Sequence, residues 1–110
     1  MKQLIVVLSF LIGFNFCYAE DLWVQKELPH PYPISKIKFI DSLTGFIQGS
    51  RFFLKTIDGG QNWEEKMSID FTGNGIVSFE IFPDGYGFML REHELYSLST
   101  DFGSSWTDYP

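Results

Sequence analysis

Apolar and polar positions along the chain fall into short runs separated by turn residues, and one set of runs occurs twice. Ile34 to Ile40 and Gly75 to Phe82 alternate in the period of strands with one buried face. Gly45 to Gly49 and Tyr86 to Leu90 follow them after short turns, Asp41-Ser42-Leu43-Thr44 and Pro83-Asp84-Gly85. Phe52 to Thr56 and Glu94 to Ser99 read as third strands, and Trp63 and Trp106 open the fourth. Outside the N-terminal apolar stretch no segment sustains a helical period, so the chain is expected to be all-β.

The two sets are copies of one unit. Thr56-Ile57-Asp58-Gly59-Gly60-Gln61-Asn62-Trp63 and Ser99-Thr100-Asp101-Phe102-Gly103-Ser104-Ser105-Trp106 align without a gap at an offset of 43 residues, and Gly45-Phe46 recurs as Gly87-Phe88 at an offset of 42. A period of about 40 to 45 residues is the length of one four-stranded propeller blade. The spacing predicts two antiparallel blades, residues 34–66 with the first octapeptide at 56–63 and residues 67–110 with the second at 99–106. Trp23 lies 40 residues before Trp63. Residues 20–33 therefore read as an orphan outer strand, Trp23 to Leu28, and a proline-rich linker. In a closed propeller such a leading strand completes the last blade.

The octapeptide, Ser/Thr-x-Asp-x-Gly-x-x-Trp, has a mechanical logic. It joins a third strand to a fourth through a tight turn whose amides would otherwise lack acceptors. The short carboxylates of Asp58 and Asp101 can accept from amides a few residues on, and the hydroxyls of Thr56 and Ser99 can join the same network. Gly60 and Gly103 supply the positive φ of the reversal. Trp63 and Trp106 return to bury a large apolar surface, worth a few kcal/mol each. The motif is a staple of the fold.

The first nineteen residues read differently. Met1-Lys2-Gln3 is a short positive stretch, Leu4 to Phe14 is an apolar run, and Cys17-Tyr18-Ala19 places small residues at −3 and −1 of a cut before Glu20. That layout predicts a secretory signal peptide over residues 1–19, too short to span a bilayer stably, and a periplasmic or secreted product. A rival route would attach lipid at Cys17, for which Asn15-Phe16 is a poor lead-in. Cleavage after Ala19 would leave no cysteine, so packing or partners must supply stability. It would also move the formal net charge from −6 to −7. With no basic run, nucleic acid and anionic membrane surfaces are excluded as partners. Aromatic residues make up 18 % of the chain, a richness that suits sheets packed face to face.

Through these two octapeptides and their spacing the chain resembles Asp-box (BNR-type) repeat propellers. Most of all it is similar to the photosystem II assembly and stability factor family and its bacterial relatives, and more distantly to sialidase- and sortilin-type propellers. The likeness is carried by Ile40-Asp41-Ser42-Leu43-Thr44-Gly45-Phe46-Ile47-Gln48-Gly49 and by Leu54-Lys55 leading into the first octapeptide. The second repeat departs from it, with Phe102 in place of the first of the paired glycines and Arg91-Glu92-His93 in place of a glycine turn. The resemblance implies a propeller with more blades than two, and an exported scaffold or assembly-factor role with a protein partner.

No constellation for catalysis, cofactor or metal is evident. His93 stands beside Glu92 and Glu94, but Ser97 occupies the place where a second histidine would complete a zinc motif. Asp58 and Asp101 lack the further carboxylates of a calcium loop. A sialidase-like or carbohydrate-binding propeller is the alternative reading. Its implied arginine cluster is matched only by Arg51 and Arg91. Loops opposite the octapeptide turns make the candidate partner face, with Arg51, Arg91, Tyr32 and His30 as its contact residues.

Two blades cannot close a ring, which takes at least about four. The expectation is therefore a piece of a longer propeller, with self-assembly into a ring or a distorted sandwich as the other options.

Overall fold

A computed structural model of the chain describes residues 3–7, 23–29 and 32–110, of which the strands 3–7 and 23–27 are described in backbone only. It contains β1 (Gln3–Val7), β2 (Trp23–Glu27), β3 (Lys36–Phe39), β4 (Gly45–Gln48), β5 (Phe52–Thr56), β6 (Glu64–Ser68), β7 (Ile76–Ile81), β8 (Gly87–Arg91), β9 (Tyr96–Ser99) and β10 (Thr107–Tyr109). No helix occurs among the described residues, and none there is long and apolar enough to cross a membrane. The chain is all-β.

Two four-stranded antiparallel meanders hold the repeats, ordered β3-β4-β5-β6 and β7-β8-β9-β10. Their middle pairs share one register: Gly45 faces Thr56 and Ile47 faces Leu54, as Gly87 faces Ser99 and Met89 faces Ser97. A bulge between Phe53 and Leu54 shifts β5 against β6, and another between Ile76 and Ser78 shifts β7 against β8.

The orphan strand has a partner. β2 spans Trp23–Glu27 and pairs antiparallel with β1, Val7 opposite Trp23 and Gln3 opposite Glu27. In the uncut chain, part of the stretch read as a signal peptide thus saturates an edge of β2 that would otherwise lie open. The predicted cleavage site, Cys17 and His30 lie outside the described residues.

The core shows how the sheets stack. Side chains alternate across a strand, so β4 and β5 present Phe46, Gln48, Phe53 and Lys55 on one face and Ile47, Phe52 and Leu54 on the other. All are buried. The first face packs against Ile76, Phe79, Ile81 and Met89 of the second sheet, and the second face closes over Leu28, Ile34 and Trp63. The ring of Phe53 lies 5.0 Å from Phe79 and 5.3 Å from Trp106, both edge-on. At the seam Lys36 Nζ donates to the Phe79 carbonyl at 2.7 Å, and the Ile76 amide donates to the Ser50 carbonyl at 2.8 Å.

The stacking is head to tail. Met89 and Ser97, which face the first sheet, are the repeat counterparts of Ile47 and Leu54. The far face of the second sheet carries Phe88, Leu90, Tyr96 and Leu98. These are the counterparts of Phe46, Gln48, Phe53 and Lys55, the face that the second sheet itself covers. Phe88 is 40 % exposed where Phe46 is fully buried. Unlike faces meet, so the same contact can be repeated outward, the rule of repeat architectures.

Candidate functional site

The two octapeptide turns carry the same hydrogen-bond network. Thr56 Oγ1 donates to Asp58 Oδ1 at 2.8 Å and accepts from the Gly60 amide at 3.0 Å. Ser99 Oγ does the same with Asp101 Oδ1 and the Gly103 amide, at 2.8 and 3.0 Å. The aspartates then reach forward. Asp58 accepts from the amide and side chain of Asn62, both at 2.8 Å, and Asp101 from the amide and hydroxyl of Ser105 at 2.9 and 2.6 Å. These donors stabilise the charged form. The Asn62 amide, followed by its side chain, pulls Asp58 down to about 2. The Ser105 hydroxyl, then its amide, does the same for Asp101, also to about 2.

Backbone geometry follows the network. Gly59 and Gly60 sit at φ 75° and 95°, Phe102 and Gly103 at 56° and 77°. Phe102 therefore holds the left-handed conformation that Gly59 takes without strain. The indole of Trp106 donates to the Gly103 carbonyl at 3.0 Å. The buried Trp63 indole nitrogen has no hydrogen-bond partner among the described residues.

At the other end of β5, Arg51 Nη1 donates to the carbonyls of Asp70 and Gly73, each at 2.7 Å. Its guanidinium stands 5.5 Å from the Phe71 ring, and Tyr32 meets that ring edge-on at 6.1 Å. Phe71 is 74 % exposed. Tyr32, Phe71 and Arg51 thus form one aromatic and cationic cluster on the loop face. Asp70 accepts from the Thr72 hydroxyl and amide, which lowers its pKa and braces the loop.

Arg91 is not on that surface. It ends β8 on the inward side, 6 % exposed, and donates to the Asn74 carbonyl, the Ser97 hydroxyl and Asp108. The strand runs one residue past its expected end at Leu90, and alternation turns Arg91 inward with Gly87 and Met89. Its guanidinium is committed to the fold, which removes it from the candidate partner face. His93 lies 3.0 Å from Asn74 Oδ1, and Glu92 accepts from the Gly75 amide at 2.8 Å. Among the described residues no group of three His, Cys, Asp or Glu is placed to hold a metal ion.

Two residues that the sequence did not single out stand at these sites. Phe71 was legible only as part of a loop. Lys55 was hidden in a strand, yet its ammonium lies between the two octapeptide turns, 2.9 Å from Ser104 Oγ.

No protein-family model and no curated protein matches the chain. Among solved structures it is similar to one described as "YCF48 bound to D1 peptide", at 30 % identity and a TM-score of 0.62. The match covers 76 % of this chain and 27 % of that one, so this chain spans about a quarter of the longer protein. With its head-to-tail stacking, that likeness makes the two sheets blades of the kind found in a larger β-propeller.

Proposed function

We infer that the chain is an exported, non-catalytic protein-binding segment of an Asp-box propeller, and that its partner docks on the loop face around Arg51, Tyr32 and Phe71. The observation that carries this reading is the likeness to a propeller solved with a peptide bound. Arg51 and the exposed Phe71 ring supply the cation and apolar anchor that protein interfaces favour. The paired turn networks support the Asp-box assignment, and their aspartates are fully engaged in capping. The far face of the second blade, with Phe88, Leu90 and Leu98 exposed, would seat a further blade of the same propeller or of another copy.

The test is capture of partners from periplasmic extract by the tagged chain, in wild-type form and as Arg51→Glu with Phe71→Ser. Loss of the captured proteins in the double variant is expected, and an unchanged set would sink the loop-face reading. Export is checked separately by the mass of the recovered protein, which should lack residues 1–19.

A further inference from the structure

We propose that Asn74-Gly75 is a self-modifying site, where Arg91, Glu92 and His93 promote loss of the Asn74 side-chain amide as ammonia through a succinimide. The two residues lie in the connection between the sheets. Three consecutive side chains converge on them, Arg91 from the end of β8 and Glu92 and His93 from the turn after it. Arg91 Nε and Nη2 donate to the Asn74 main-chain carbonyl at 3.0 and 2.7 Å. Glu92 Oε1 accepts from the Gly75 amide at 2.8 Å. His93 Nδ1 stands 3.0 Å from Asn74 Oδ1. That oxygen can only accept, so the ring nitrogen is the donor. The turn holds this arrangement with His93 at φ 58° and Glu94 at φ 64°. Residues with side chains seldom take that left-handed backbone, and such strain gathers at working sites. Gly75 is needed as well. A methyl group there would stand 2.9 Å from the Ser50 carbonyl and 3.2 Å from Glu92 Cδ, where the carboxylate now sits.

Each contact matches one need of the reaction. An asparagine amide is attacked by the main-chain nitrogen of the next residue, and glycine puts no side chain in the way. That nitrogen is a poor nucleophile until it loses its proton. The Arg91 guanidinium on the Asn74 carbonyl stabilises the negative charge that the peptide group then carries, and the Glu92 carboxylate receives the proton. His93 donates to Asn74 Oδ1 and so draws electrons from Cγ, the carbon attacked. The bond from Gly75 N to Asn74 Cγ forms and the bond from Cγ to the side-chain nitrogen breaks. That nitrogen leaves as ammonia with the proton that Glu92 took up. Solvent reaches the half-buried Asn74, and water opens the succinimide at either carbonyl. The products are aspartate, or isoaspartate with the main chain rerouted through the side chain. Either one sets a new carboxylate in the connection between the sheets. The site is independent of the loop-face reading.

The test compares the wild-type chain held folded in neutral buffer with the same chain unfolded in guanidinium chloride at the same pH. Peptide mass spectrometry, with chromatographic separation of the aspartyl and isoaspartyl forms, follows the segment that holds Asn74. Asn74 should convert about tenfold or more faster in the folded chain, a modest share of what positioned acid and base groups supply. Glu92→Gln and His93→Gly, the latter suited to the left-handed φ, should each bring the folded rate down toward the unfolded one. Equal or slower conversion in the folded wild type would overturn the proposal, because the contacts would then lock the loop and not activate it. A folded rate untouched by both variants would overturn it too. Circular dichroism identifies a variant that fails to fold, and the wild-type comparison then decides alone.

Discussion

Gly103 lies against the ring of Phe46 across the seam between the blades. A methyl group on this glycine would stand 3.0 Å from Phe46 Cε1 and 3.3 Å from Ile81 Cδ1, at a φ of 77°. Gly59 is also left-handed, at 75°, but there a methyl group would meet only the Ser42 carbonyl, at 3.3 Å, and the edge of Leu43. Both Gly→Ala substitutions carry the backbone penalty, and only Gly103→Ala also presses on the core. We expect Gly59→Ala to cost about 1 kcal/mol and Gly103→Ala about 2 or more. Urea unfolding of the two variants measures the difference, and equal costs would mean that the seam yields freely around Phe46.

Phe46 and Phe88 occupy the same place in their repeats and differ in what covers them. Phe46→Ala should cost about 3–5 kcal/mol, the range for deleting a buried aromatic side chain. Phe88→Ala should stay within about 1 kcal/mol in this chain and lower its binding of a hydrophobic dye. A loss at Phe88 as large as that at Phe46 would show that another surface covers it.

The repeat pattern made most of this architecture legible. Third strand and turn followed from Phe52 to Trp63 alone, because the octapeptide ties residue type to backbone shape at each step. The short turn Pro83-Asp84-Gly85 likewise marked Tyr86 to Leu90 as the strand that follows it. What escaped depends on register or on distant sequence. Arg91 turns inward only because β8 continues one residue beyond Leu90. The pairing of β1 with β2 joins a segment whose composition speaks for removal rather than folding. Lys55 looked like an ordinary strand lysine, since its contact with Ser104 of the second octapeptide turn emerges only when the two sheets stack.

The inward placement of Arg91 has a consequence for stability. Arg91→Met would leave the Asn74 carbonyl without its two guanidinium donors and remove a contact from Ser97 and Asp108. A loss of about 2 kcal/mol is expected. Arg51→Met releases two loop carbonyls that water can reach, and about 1 kcal/mol or less should follow. Thermal or urea unfolding separates the two, and a larger loss at Arg51 would reverse the assignment of roles.

The turn aspartates set how the chain responds to acid. Asp58 and Asp101 each titrate at about 2 when folded, against an ordinary aspartate value near 4 in the unfolded chain. The folded values are depressed, so the unfolded state binds protons first as pH falls. The stability these groups contribute is whole above about pH 5 and is lost between about 4 and 2. Solvent around the turns keeps the contribution small, and its pH dependence is the diagnostic. Asp58→Asn with Asp101→Asn should lower stability at neutral pH and flatten its fall through that acid window. Denaturant unfolding from pH 7 to pH 2.5 gives both curves. Parallel curves for wild type and double variant would mean that the acid response lies in other carboxylates, with Asp41 and Glu80, also held below their ordinary values, the next to test.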